Sequence, residues 1–194
     1  MDLPPIILAS KSPRREQLLR QLEINFQVIT RTVQESVSEH LTPRELSQIN
    51  AYRKAWVVAK DHPDHLVIGA DTVVCMGRRV FGKPADLEEA HRMLMDLQGH
   101  THEVVTGVCL IQLRHHRDNL FAETSRVIFK PLDALTIRNY LSLIDPLDKA
   151  GGYALQEHGS LIVDRVEGST SNVVGLPLEH LLQELESWPK VPTP

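Results

Sequence analysis

Apolar and polar positions switch between two periods along this chain, and the switches predict an ordered series of strands and helices. After Pro4 and Pro5, the run Ile6-Ile7-Leu8-Ala9 is short and wholly apolar, the pattern of a strand buried on both faces. Ser12 then offers an N-cap and Pro13 suits the first helical position, with Leu18, Leu19 and Leu22 as the apolar stripe of the helix that follows. Phe26-Gln27-Val28-Ile29 predicts a second strand. Thr42-Pro43-Arg44-Glu45 has the spacing of a capping box and opens a helix to about Lys60, with Leu46, Ile49, Trp56 and Val57 on its apolar face. His65 to Ala70 is a buried-strand pattern that ends on Asp71. Thr72 to Met76 is predicted as a further extended segment, turned at Gly77 into Arg78 to Phe81.

In the second half, Asp86 and Glu89 repeat the capping-box spacing. Ala90, Met93, Leu94 and Leu97 follow at helical intervals, and Gly99 closes the helix. His102 to Leu113 and Phe121 to Lys130 predict two long strands in a hairpin across the polar tip Arg114 to Asn119. Asp133 can cap a helix carrying Ile137, Tyr140, Leu141 and Ile144. Ser160 to Val166 reads as a strand, Gly168 to Asn172 as a turn, and Leu178, Leu181, Leu182 and Leu185 as a last helix before an unstructured tail from Ser187 to Pro194. Interleaved helices and strands imply an α/β fold, and the hairpin makes its sheet mixed rather than purely parallel. No internal repeat is visible, and residues 1–194 are expected to form a single domain.

Composition narrows the function classes. The chain has 194 residues, 42% of them apolar and 24% charged, the balance of a soluble globular domain. A net charge of −4 argues against gripping a nucleic-acid backbone, though a local basic pocket for a small phosphorylated ligand stays open. Cys75 and Cys109 lie inside apolar runs and read as reduced core thiols. There is no basic leader and no apolar stretch near the ~20 residues of a membrane span, so a cytoplasmic protein with no membrane partner is expected. His100, His102, His115 and His116 lack the spacing of a zinc site, and neither a P-loop nor a dinucleotide fingerprint is present.

Several residues nonetheless have the chemistry of a phosphate site. A strand feeding a helix whose first turn holds Ser12, Arg14 and Arg15 is a ready anion site, or else a plain basic helix start. Asp71, at the end of a buried strand, has no partner nearby in sequence, which a metal ion would explain. Glu35, in a polar loop, would suit Mg²⁺ if it faced Asp71, and is otherwise a surface residue. Lys54 sits at the edge of its helix's apolar stripe, and Lys83 is held in the tight Phe-Gly-Lys-Pro loop. Asp148-Lys149-Ala150-Gly151-Gly152-Tyr153 packs charges, glycines and an aromatic together, and Gln156 offers donor and acceptor to a base edge.

Taken in order, these segments resemble the Maf (septum formation inhibitor-like) family. The resemblance rests on Leu8 to Arg15, Ile68 to Val74, Gly82-Lys83-Pro84, Asp148 to Tyr153 and Asn172 to Pro177, and it spans residues 6 to about 186. It implies a house-cleaning nucleoside triphosphate pyrophosphatase, linked by name to septum formation. The implied fold is a mixed twisted sheet flanked by helices, with two lobes, a central cleft and likeness to inosine triphosphate pyrophosphatases. It implies a divalent cation (Mg²⁺, Mn²⁺ or Co²⁺) on Asp71 and Glu35, with Asp71 as the essential carboxylate, either a metal ligand or the base for the attacking water, and with Lys83 and Glu35 as the other catalytic residues. It places Arg14, Arg15 and Lys83 on the phosphates, and Ser10, Ser12, Lys54, Thr72 and Gln156 along the substrate cleft. It also implies a homodimer. Many relatives carry an acidic residue directly before the Glu35 position, whereas this chain has Gln34. A branch acting on 7-methyl-GTP typically has Trp at the Arg14 position and Glu at that of Gln156, so this chain resembles the dTTP/UTP branch. The rival readings are a pyrophosphatase for modified nucleotides and a non-catalytic nucleotide-binding regulator of division.

Overall fold

A computed structural model describes residues 3–36 and 40–189. Their strands join in one seven-stranded sheet. In chain order these are β1 (Ile6–Leu8), β2 (Phe26–Val28), β3 (Leu66–Met76), β4 (Arg79–Phe81), β5 (Thr101–Gln112), β6 (Arg117–Phe129) and β7 (Val163–Glu167). The sheet order is β2-β1-β3-β5-β6-β7, with β4 paired to the far end of β3. Only β1 is parallel to its neighbours β2 and β3, and the remaining pairs are antiparallel, so the sheet is mixed as the hairpin implied. Among the described residues no helix is long and apolar enough to cross a membrane.

Two features of the sheet matter for the site, the first of them a departure from the pattern expected along the chain. Asp71 does not end a strand: Leu66–Ala70 and Thr72–Met76 belong to one continuous strand, with Asp71 at its middle opposite Gly107. The polar residue hides the continuity from a reading of hydrophobic periodicity. By contrast, β1 pairs with β3 only from Ile6↔Leu66 to Leu8↔Ile68. The Ala9 N–H still donates to the Ile68 carbonyl (2.8 Å), and beyond it the chain turns away into helix α1 (Pro13–Arg20). The bared edge of β3 begins beside Asp71.

The helix α2 (Pro43–Ala59) starts at the expected capping box, but its buried face differs from the one expected. Leu46, Ser47, Asn50, Ala51, Ala55, Val58 and Ala59 are buried, whereas Ile49, Trp56 and Val57 are only partly covered. Small residues win because α2 lies directly against the sheet. A Cβ on Gly69 would sit 2.3 Å from the Ala51 carbonyl oxygen, and one on Gly107 would sit 2.4 Å from the Ser47 carbonyl carbon. Burial here comes from backbone approaching backbone, which large side chains prevent.

The long strands β3, β5 and β6 run through separate apolar clusters. One, around Ile6, Leu8, Leu19, Ile68 and Leu110, is closed by helix α6 (Leu178–Ser187). Another, around Phe81, Leu94, Phe129, Ile137 and Tyr140, is closed by α3 (Leu87–Leu97) and α4 (Ala134–Leu141). The expected tail is anchored at its start. Trp188 is 7% exposed in the first cluster, with its Nε1–H 3.4 Å from the Gln112 side-chain oxygen. Lys190–Pro194, the rest of that tail, lie outside the described residues. Two further segments also differ. The chain from Gly159 to Leu161 is a 3-10 turn, so β7 starts only at Val163, and the expected turn at 168–172 holds a short helix, α5 (Thr170–Val174).

Both cysteines are buried as expected, which pushes the Cys75 thiol up to about 11 and Cys109 to about 12. His102, 1% exposed, lies edge-on to Phe129 and Tyr153, with Nε2 2.8 Å from the Tyr153 hydroxyl. Its Nδ1 has no hydrogen-bond partner, and burial pushes its pKa down to about 4. Between the unfolded value near ~6.5 and that folded value, the unfolded chain binds a proton that the folded chain lacks. Stability is therefore expected to be fully present above about pH 6.5 and to fall by about 3 kcal/mol down to pH ~4. Urea titrations of the wild type and His102→Phe across that range check this. Parallel stability curves for the two would assign the loss to other groups.

Candidate active site

The divergence of β1 from β3 leaves a cleft with Asp71 at its floor. Side chains alternate along a strand, so Asp71 projects on the side of Gly69, the face covered by α2. Asn50 and Lys54, four residues apart, share one side of that helix. The Lys54 Nζ lies 2.6 Å from Asp71 Oδ1 and 2.7 Å from Glu35 Oε1, so one ammonium joins the two carboxylates. The Asn50 Nδ2 donates to Asp71 Oδ2 (3.3 Å), while its own Oδ1 accepts from the Ser36 N–H (2.7 Å) and fixes its orientation. Asp71 is 8% exposed, and a carboxylate so enclosed needs such partners to offset lost hydration. Burial works against ionisation of Glu35. The Lys54 hydrogen bond and charge, with Lys83 and Arg15 further off, outweigh it and hold its carboxyl below the usual range.

The opposite face of β3 carries a different kind of order. Arg15 was expected on the phosphates, but most of its donors are spent inside the fold. Nε donates to the Gly175 carbonyl (2.7 Å), Nη1 to the Ala70 carbonyl (2.9 Å) and more weakly to Ser10 Oγ (3.4 Å), and Nη2 to Thr72 Oγ1 (2.9 Å). The Ala70 carbonyl lies on the edge of β3 just beyond the point where β1 departs, so the guanidinium replaces the missing strand. Burial lowers the Arg15 pKa, opposed by the charge of Asp71. Thr72 is held between Arg15 and Thr106 Oγ1 (3.0 Å). Ser10, 6% exposed, accepts from the Ser12 N–H (3.2 Å). Ser12 occupies the N-cap position, yet its side chain makes no capping bond, which leaves the expected cap without its hydroxyl.

At the mouth, Arg14 and Lys83 line the same cavity as Glu35 and Asp71. Arg14 pairs with Asp148 across the cleft (Nη1 to Oδ2, 2.9 Å), and Lys83 makes no ion pair among the described residues. Burial opposes ionisation of Asp148, but Lys149 and Arg14 hold its carboxyl below the usual range. Gly151 and Gly152 adopt positive φ (73° and 72°), and the Gly151 N–H donates to the Gly82 carbonyl (2.9 Å), bringing this loop beside Lys83. Further along the cavity wall Leu46, Phe81, Tyr153 and Leu155 are apolar, and the exposed Gln156 supplies an amide.

All the expected residues except Ser10 thus line this one cavity, and Ser10 lies on a contiguous one with Arg14, Arg15 and Glu35. They divide by role: Asp71, Glu35 and Lys54 meet directly, Arg14 and Lys83 face the cleft, and Ser10, Arg15 and Thr72 form an internal knot. Asn50 was missed as a site residue, and Asp148 was singled out only as part of the segment Asp148 to Tyr153, with no role of its own. A readable signal for Asn50 was its place between Leu46 and Lys54 at four-residue intervals, a polar residue on a face otherwise set for burial. For a cation, the chain offers two carboxylates near one another, and no group of three or more His, Cys, Asp or Glu among the described residues. That donor set fits an ion such as Mg²⁺, which keeps waters and takes substrate phosphates as its other ligands.

Known proteins share this sequence closely. A dTTP/UTP pyrophosphatase of Akkermansia muciniphila is 45% identical over 181 residues, covering 93% of this chain and 95% of that protein. One of Pelotomaculum thermopropionicum is 46% identical over 183 residues, 94% of this chain and 96% of that protein. Among solved structures, the Staphylococcus aureus Ham1 protein aligns with 64% of this chain and 71% of its own, with a TM-score of 0.48 and 16% identity. Residues 5–188 match the family described as Maf-like protein, and the chain belongs to the Maf family.

Proposed function

We propose that the chain is a metal-dependent pyrophosphatase that hydrolyses dTTP and UTP to the nucleoside monophosphate and pyrophosphate. The observation that carries this reading is the pair of carboxylates, Asp71 and Glu35, joined by Lys54 at the floor of a cleft whose mouth holds Arg14 and Lys83. The relatives named above carry the same activity in their names and cover nearly the whole chain.

Water attacks the α-phosphorus, the bond from that phosphorus to the α–β bridging oxygen breaks, and pyrophosphate leaves with the bond's electrons. Asp71 and Glu35 would hold the divalent cation, Mg²⁺, Mn²⁺ or Co²⁺, which when bound neutralises phosphate charge and acidifies a coordinated water. Lys54 keeps the two carboxylates together against their mutual repulsion. Arg14 and Lys83 take the β and γ phosphates and offset the charge that builds on the leaving pyrophosphate. Gln156 reads a pyrimidine carbonyl and N3–H with its amide, while the apolar wall holds the ring.

A pyrophosphate-release screen over canonical and modified nucleotides with each of the three cations tests the assignment. Turnover of dTTP and UTP above the purine nucleotides is expected. Turnover of 7-methyl-GTP with none of dTTP or UTP would move the chain to the modified-nucleotide branch. No turnover of any nucleotide with any cation would leave a binding protein.

A further inference from the structure

The loop that follows α4 carries a charge arrangement that the reaction above does not use. Asp148 has a different cation on each carboxylate oxygen, with Lys149 Nζ 2.7 Å from Oδ1 and Arg14 Nη1 2.9 Å from Oδ2. Lys149 is 5% exposed and cannot swing away, because its ammonium also donates to the Asp145 carbonyl (2.6 Å) and pairs with Glu157 (3.5 Å). The backbone around it is tied as well, from the Lys149 N–H to the Pro146 carbonyl and from the Gly152 N–H to the Lys149 carbonyl. Asp148 is therefore a fixed anion on a fixed loop. Arg14, a long side chain held by fewer contacts, reaches it from across the cleft.

A half-exposed ion pair of this kind adds little to folding stability. Its consequence is geometric. A guanidinium has five N–H donors, and Asp148 takes one firmly and a second, through its carbonyl, at 3.5 Å. Three remain for a phosphate, so Arg14 can bind one without releasing Asp148. We propose that Asp148 is a positioning residue that holds Arg14 in the orientation in which it receives the triphosphate, with Lys149 fixing Asp148 in turn. This rests on the triphosphate reading of the cleft, and it assigns to Asp148 the ordering of a long side chain before substrate arrives.

The test is a double-mutant cycle on Arg14→Ala and Asp148→Asn, read by KM and kcat for dTTP and, independently of turnover, by calorimetric Kd for inorganic tripolyphosphate. Asp148→Asn is expected to raise KM and Kd about tenfold with kcat within about twofold, and Asp148→Glu to restore most of the loss. With Arg14 already replaced by Ala, the Asn substitution should change Kd by less than about twofold. Asp148→Ser takes its place if the Asn variant does not fold. Equal effects with and without Arg14 would overturn the proposal, as would tighter binding in Asp148→Asn, which would make the carboxylate a competitor of phosphate. A wild-type chain that binds tripolyphosphate but turns over no nucleotide defeats the pyrophosphatase reading alone, and the cycle still decides the role of Asp148. A wild type that binds no tripolyphosphate overturns both.

Discussion

Asp71→Asn is expected to lower kcat for pyrophosphate release about a thousandfold or more, which is about 4 kcal/mol of transition-state stabilisation. The amide matches the carboxylate in shape but carries no charge, so it neither binds a cation strongly nor takes a proton from water. The fold should persist at a modest cost. One oxygen can still face Lys54, but the amide nitrogen then meets the Asn50 Nδ2, which Ser36 prevents from turning. Two opposed donors in a buried site cost about 1–2 kcal/mol, and about 2–4 °C of melting temperature per kcal/mol at this chain length. Steady-state kinetics beside a thermal melt separate the two effects. Undiminished turnover in a folded variant would remove Asp71 from the chemistry.

The second large effect comes from a residue with no chemistry of its own. Gly69→Ala places a Cβ 2.3 Å from the Ala51 carbonyl oxygen and 2.8 Å from the Ala55 amide nitrogen, both of them backbone atoms of α2. No side-chain rotation relieves that contact, so the helix must lift from the sheet. The expected loss is about 3 kcal/mol or more of stability. Turnover should fall with it, because Asn50 and Lys54 ride on the same stretch of α2 and would draw away from Asp71. Denaturant unfolding together with kcat tests the coupling. A variant that keeps the wild-type melting temperature and the wild-type rate would show that α2 has slack the geometry denies.

Those two residues mark where the sequence was legible and where it was not. The capping box at Thr42, the helical spacing of Ala90 to Leu97 and the long hairpin are local patterns, and the structure has all three. The apolar face of α2 was misjudged because large residues weigh most in a hydrophobic pattern. The helix instead buries its small ones against glycines that come from strands distant in sequence. Asp71 was legible as a misplaced charge within an apolar run, but its position on the strand was not, since strand continuity is set by β5. On their own, Glu35 passed for a surface residue and Lys54 for the edge of an apolar stripe. Only the fold makes them neighbours of Asp71. Arg15, beside Arg14 in sequence, shares the chemistry of a phosphate ligand, but its hydrogen bonds to Ala70 and Gly175 could not be read there, since they depend on where β1 leaves β3.

That departure also limits how the mouth of the cleft can vary. A strand edge laid bare in mid-sheet leaves a carbonyl in want of a donor, and here one guanidinium meets the need while tying three separate stretches of chain together. Loops at the rim, the choice of residue at positions 14 and 156, and the loop holding Asp148 can all be exchanged to suit another base without disturbing that seam. Position 15 has no such freedom. Any change of substrate preference that keeps this sheet has to be written around it.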